Sequence, residues 1–206
     1  MERASLPAVL MSLAIGGFLI GCGGDDTESP VANGDGRTAN GNGDHRPGPV
    51  EIDPASIQVT DWAGVQELVT RHQGKVVVVY LWATFNQPSV NELPQVARLC
   101  RQHASDLHCV SVCVDYSDEG VAPDELRQPV AEELGQAGAE FDHVVSSTSA
   151  ETLYEEIDML SGIPAVYVYN RDGELARRFD NEDADQPEFS FRKDVVPFVE
   201  ELLGGE

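Results

Sequence analysis

The stretch Lys75-Val-Val-Val-Val-Tyr-Leu-Trp82-Ala83-Thr84-Phe85-Asn86-Gln87-Pro88-Ser89-Val90-Asn91-Glu92-Leu93-Pro94 decides how this chain folds. Its first half is a continuous apolar run, the pattern of a strand buried on both faces of a parallel sheet. Its second half opens a helix. Asn86 and Ser89 are both good helix caps. Val90, Leu93, Val96, Ala97 and Cys100 then recur at helical spacing, so a helix is expected over about 87–104.

The pattern extends outward on both sides. Upstream, Asp61 can cap a helix over about 62–72, with Val65, Leu68, Val69 and His72 on one stripe and Gly74 after its end. Downstream, Leu107 to Asp115 reads as a second buried strand. Pro123 suits the first turn of a helix reaching about Gly135, with Asp124 and Glu125 at its positive end. Phe141 to Val145 is a short strand. Thr148-Ser149-Ala150-Glu151 reads as a capping box opening a helix to about Met159. Ala165–Tyr169 and Glu174–Phe179 are strands joined at Asn170-Arg171-Asp172-Gly173, a hairpin signal. A helix over 192–203 closes the chain. From residue 75 the order is βαβαβαββα. That order implies an α/β domain over 55–206, with a central mixed sheet flanked by helices: a parallel core and an antiparallel edge hairpin.

The whole chain has 206 residues, with 13 Lys+Arg against 36 Asp+Glu and a net charge of -23. The domain itself holds 28 acidic and 10 basic residues, or -18. Nucleic acid is excluded as a partner, because phosphate binding needs clustered Lys and Arg. Electrostatic docking on anionic lipid is disfavoured for the same reason. Four Cys are too few for a disulfide scaffold.

The N-terminus is an address. Ala8 to Ile20 is a short apolar run, below the ~20 residues a spanning helix needs. Leu19-Ile20-Gly21-Cys22 resembles the lipobox of bacterial lipoproteins. The resemblance implies a signal peptide over 1–21, cleavage before Cys22 and a lipid on its sulfur. Membrane attachment through Cys22 and an extracytoplasmic place in the cell envelope follow. In Gly23–Pro54, 19 of 32 residues are Gly, Asp, Pro or Asn, so residues 22–54 are expected to form a disordered tether.

The segment after Leu81 resembles the active-site segment of thioredoxin-like proteins of the TlpA/ResA type, which reads W-A-T/S-W-C-x-P-C-x-x-E-x-P. Trp82, Ala83, Thr84, Pro88, Glu92 and Pro94 match it. Gly162-Ile163-Pro164-Ala165 resembles the family's cis-proline loop, and Val112 and Asp115 its V-x-V-D strand. The resemblance implies a thioredoxin-like fold and a thiol-disulfide oxidoreductase ancestry. Both catalytic cysteines are missing, with Asn86 at the first position and Ser89 at the second. Neither residue forms a disulfide, so dithiol chemistry is not expected and catalytic residues are none. The resemblance also implies a groove for an extended peptide, here lined by Trp82, Phe85, Pro88, Ile163 and Pro164. A peptide-binding or scaffold module acting on an envelope protein is the expected function. The alternative is an oxidoreductase working through Cys100, Cys109 or Cys113. Cys109 and Cys113 lie about 13 Å apart along one strand, beyond disulfide reach, while Cys100 can approach either.

Other constellations are weaker. His103, His108, Cys109 and Cys113 suggest metal ligands by composition, but His108 and Cys109 face opposite sides of a strand and no C-x-x-C pair exists. Asp180, Glu182, Asp183 and Asp185 lack the Gly and terminal Glu of a calcium loop. No metal and no cofactor is expected. Ser89 lacks the G-x-S-x-G elbow of a hydrolase nucleophile. Glu92, without a thiol to serve, is expected on the helix surface or in the groove.

Overall fold

The computed structural model describes residues 48–118, 120–159, 162–180 and 189–204. The signal segment 1–21, Cys22 and the tether up to residue 47 lie outside the described residues, as do Glu182, Asp183 and Asp185. Six strands form one sheet: β1 (Gln58–Thr60), β2 (Val76–Trp82), β3 (Leu107–Cys113), β4 (Asp142–Ser146), β5 (Ala165–Tyr169) and β6 (Leu175–Phe179). The helices are α1 (Trp62–Arg71), α2 (Gln87–Gln102), α3 (Arg127–Ala137), α4 (Ala150–Glu156) and α5 (Val196–Gly204). The sheet order is β1-β4-β3-β2-β5-β6. β1, β4, β3 and β2 run parallel; β5 is antiparallel to β2 and pairs with β6 as a hairpin. The expected mixed sheet is therefore present, flanked by helices on both faces.

Handedness explains which helix lies where. Parallel crossovers are right-handed. The chain steps from β2 to β3 to β4 in one direction, so α2 and α3 share a face. It steps from β1 to β2 in the opposite direction, so α1 lies on the other face. The two cores follow this division. Val76, Val78, Tyr80 and Trp82 pack with Leu93, Val96 and Cys100 of α2, Val130 and Leu134 of α3 and Val199 of α5. Val77, Val79 and Leu81 pack with Val65, Leu68 and Val69 of α1 and Leu153 of α4. All seven residues of β2 are buried. Each such side chain, fully buried, contributes about 1.5–3 kcal/mol before ordering costs. One polar pair sits inside the first core: the Ser111 hydroxyl lies 2.9 Å from His143 Nδ1, and His143 Nε2 lies 3.0 Å from the Ala139 carbonyl.

Several local expectations shift. β1 is an additional strand, three residues paired with β4 at Gln58↔Val144 and Thr60↔Ser146. Val50 to Pro54, grouped with the tether on composition, touch the domain: the Val50 N–H donates to Gly135 O at 2.9 Å, and Ile52 packs on the first core. The capping box at 148–151 does not form. α4 starts one residue later, with Ser149 at the cap position, so its hydroxyl turns to Thr152 Oγ1 and Glu151 falls out of register. α4 also stops at Glu156, short of Met159, where Asp158 adopts φ 53°. The hairpin forms as read. Asn170 Oδ1 accepts the N–H groups of Asp172 and Glu174, and Gly173 supplies φ 80°.

Candidate functional site

The change in winding direction falls at β2, and ligand crevices of open α/β sheets lie at the carboxyl ends of strands at such a point. Here that is the loop Ala83–Asn86, which runs from β2 into α2. Asn86 is the N-cap of α2, its Oδ1 accepting the Ser89 N–H at 2.9 Å. Pro88 sits in the first turn, where a missing N–H costs nothing. Ser89 is fully buried. Its hydroxyl lies 2.8 Å from Asn86 O and 3.3 Å from Ala83 O, and accepts the Ala83 N–H at 3.3 Å. The Tyr80 hydroxyl donates to Ser89 O at 2.8 Å. The Thr84 N–H donates to Asp115 Oδ1 at 2.8 Å, and the Thr84 hydroxyl bonds the same carboxylate. The Thr84, Asn86 Oδ1 and Ser89 side-chain groups are thus engaged by nearby backbone or by Asp115. Asn86 Nδ2 also reaches within 3.5 Å of Ile163 O, so the two loops adjoin. The Ile163–Pro164 bond is cis, as its likeness to a cis-proline loop implied. Gly162 before it has φ 85°, a conformation that side chains resist.

Five residues were expected to line a groove, and they differ in exposure. Phe85 is 75% exposed, Pro88 is exposed, and Ile163 and Pro164 are half-buried. Trp82 is corrected: it is 0% exposed. It shares the parity of Val76, Val78 and Tyr80 on β2, and that face is roofed by α2 and α5. Its side chain packs the core and lines no groove.

Glu92 is also placed differently from expectation. It lies one turn below Ser89, with Oε1 accepting the Phe191 N–H at 3.3 Å and Oε2 buried without a partner. Burial pushes its carboxyl up, opposed by the Phe191 N–H. The Ser89–Leu93–Val96–Cys100 stripe marks the inner face of α2, and Glu92 borders it; that spacing was the available signal.

The three described thiols are all buried and form no disulfide with one another. Cys113 lies at the end of β3 beside Asp115 and the Thr84 N–H. Burial, then the Asp115 charge, pushes its thiol well up. Burial likewise pushes Cys109 up, and its S–H donates to Cys100, whose thiol is drawn down by that bond. A thiol needs exposure and a stabilised thiolate to react. Cys109 and Cys113 have neither, and Cys100 is 8% exposed and faces the core. The apex therefore presents the exposed Phe85 and Pro88, and the described thiols lie buried away from its surface.

No protein-family model matches the sequence, and no curated protein sequence matches it. Solved structures do. A thiol-disulfide isomerase from Corynebacterium glutamicum aligns with TM-score 0.50 and 16% identity, over 66% of this chain and 86% of that one. A secreted disulfide oxidoreductase from Mycobacterium tuberculosis, homologous to DsbE of E. coli, aligns at TM-score 0.47 and 14% identity, over 65% and 86%. A thioredoxin-like protein from Porphyromonas gingivalis aligns at TM-score 0.48 and 18% identity, over 65% and 80%. Sheet order, helix placement and the first of these alignments agree: the chain has a thioredoxin-like fold.

Proposed function

We propose that this domain is a redox-inactive, peptide- or protein-binding module of the cell envelope, lipid-anchored through Cys22. The observation that carries the reading is Phe85, a large apolar side chain 75% exposed beside exposed Pro88 and half-buried Ile163 and Pro164. It projects from a loop whose own polar groups are bonded internally. Such a surface suits an extended segment that adds backbone hydrogen bonds and seats one apolar side chain. The positions that would carry a dithiol hold Asn86 and Ser89, which serve the helix start instead.

Selection of extended peptides from a random library on the full-length chain tests the binding role. Phe85→Ala should weaken the selected peptides roughly tenfold or more, as loss of an aromatic anchor does, without lowering Tm. Undiminished binding by that variant overturns the assignment of the apex. For the anchor, Cys22→Ala should release the protein from the membrane fraction. Recovery there at wild-type level overturns it. Among the described residues no helix is long and apolar enough to cross a membrane.

A further inference from the structure

At the end of the sheet opposite the apex, three side chains from three elements converge. His72 caps the C-terminus of α1, His108 is the second residue of β3, and Asp142 is the first of β4. His72 Nε2 lies 3.2 Å from Asp142 Oδ2, and His108 Nε2 lies 3.1 Å from the same oxygen. The three ligand atoms all fall within 4.8 Å of one another. The two imidazoles stack at 3.5 Å between centroids and 14° between planes. All three side chains keep a wet side, at 28%, 18% and 36% exposure.

We infer that His72, His108 and Asp142 form a binding site for a divalent first-row transition-metal ion. Bonds of about 2.0–2.2 Å to nitrogen and oxygen set neighbouring tetrahedral ligand atoms roughly 3.4 Å apart. The two observed nitrogen–oxygen separations already lie near that value. Two imidazoles and one carboxylate are a borderline donor set. It suits Zn²⁺, Co²⁺, Ni²⁺ or Cu²⁺ rather than Ca²⁺ and Mg²⁺, which prefer oxygen, or Cu⁺, which prefers sulfur. The exposed side leaves room for water to complete the shell. The domain's -18 charge favours a cation. Lys75, the basic neighbour, is directed to the Ala104 carbonyl at 2.8 Å.

Both Nε2 atoms face Oδ2. With metal, each Nε2 lone pair faces the ion and each ring proton sits on Nδ1. A metal lies in the plane of every imidazole that holds it, so rings stacked as these cannot both bind unmoved. His72 is the ring that turns, because it sits at a helix end and is more exposed than His108 on its strand. The site cross-links α1, β3 and β4 and owes nothing to the apex reading.

The test is titration of the full-length chain with Zn²⁺ by calorimetry and with Co²⁺ by visible absorption. One equivalent should bind. His72→Gln, His108→Gln and Asp142→Asn should each weaken binding about tenfold or more, since even outer-shell changes cost 10–100-fold. Imidazole nitrogen NMR of the wild type removes any dependence on variant folding: the His72 and His108 signals should move on adding Zn²⁺ and those of His103 and His143 should not. No saturable binding at millimolar Zn²⁺ overturns the site. So does equal binding by the triple variant, or unmoved His72 and His108 signals.

Discussion

The two ends of β2 and β3 spend their polar residues in opposite ways. At the apex, Asn86, Ser89, Thr84 and Asp115 are absorbed by helix capping and loop bonds, and what faces solvent is Phe85. At the base, His72 and His108 both bond Asp142, and all three keep a wet side. The apex is where an open α/β sheet ordinarily places its ligand crevice, yet its polar side chains are turned to capping and loop bonds. The base has no claim from topology, yet it holds the convergent donor atoms. Fold alone thus locates a surface, and the side chains decide whether that surface reacts, binds or only holds the chain together.

The largest expected effect separates two aromatics three residues apart. Trp82→Ala should cost about 3–5 kcal/mol, because a buried aromatic leaves a cavity. Phe85→Ala should stay within about 0.5 kcal/mol, as exposed positions do. Urea unfolding of both variants checks this, and similar costs would erase the boundary drawn between core and surface.

Next in size is a buried group near the base. Burial holds the His143 imidazole down to about 4, against 6.5 for a free histidine. The folded state therefore binds fewer protons than the unfolded chain in that interval. Its contribution is complete above about pH 6.5 and is lost as pH falls toward 4, by about 3 kcal/mol at 1.36 kcal/mol per pKa unit. The stability difference between wild type and His143→Gln should shrink by that amount between neutral pH and about pH 4. A constant difference would mean that His143 is not held neutral.

Ser89→Ala should cost about 1–3 kcal/mol, because the buried Ala83 N–H loses its acceptor. Asn86→Ala should cost about 1 kcal/mol, the usual loss of a helix cap. If either is neutral, that side chain does not hold the helix start in place. The smallest effect belongs to the base. His108, then His72, holds the Asp142 carboxyl down to about 2 through hydrogen bonds. Its contribution is present above about pH 4 and lost as pH falls toward 2. Asp142→Asn should flatten that acid arm slightly, since the carboxylate is part-exposed.

Much of this was legible in the residues. The apolar run of β2, the Asn170–Gly173 turn and the Ile163-Pro164 pair are local signals, and each appears where it was read. β1 was not legible, because three residues carry no alternation and its pairing with β4 depends on the whole sheet. Trp82 was placed in the groove by the family resemblance, although its parity with Tyr80 already assigned it to the core. The His72–His108–Asp142 cluster had no sequence signal at all. Its members are 36 and 34 residues apart, and only the register of β3 with β4 and the end of α1 brings them together.

The proposed reading holds that the apex keeps thioredoxin-like geometry without dithiol chemistry. The double substitution Asn86→Cys, Ser89→Cys tests it most directly. Two thiols would stand at the first turn of α2, with the residue-86 thiol favoured as thiolate by the helix N-terminus. Under mild oxidant the double variant should form an 86–89 disulfide and reduce insulin with dithiothreitol as electron source. Wild type and both single variants should stay at the uncatalysed rate. A folded double variant that forms no such disulfide, or a wild type that turns over, contradicts the account.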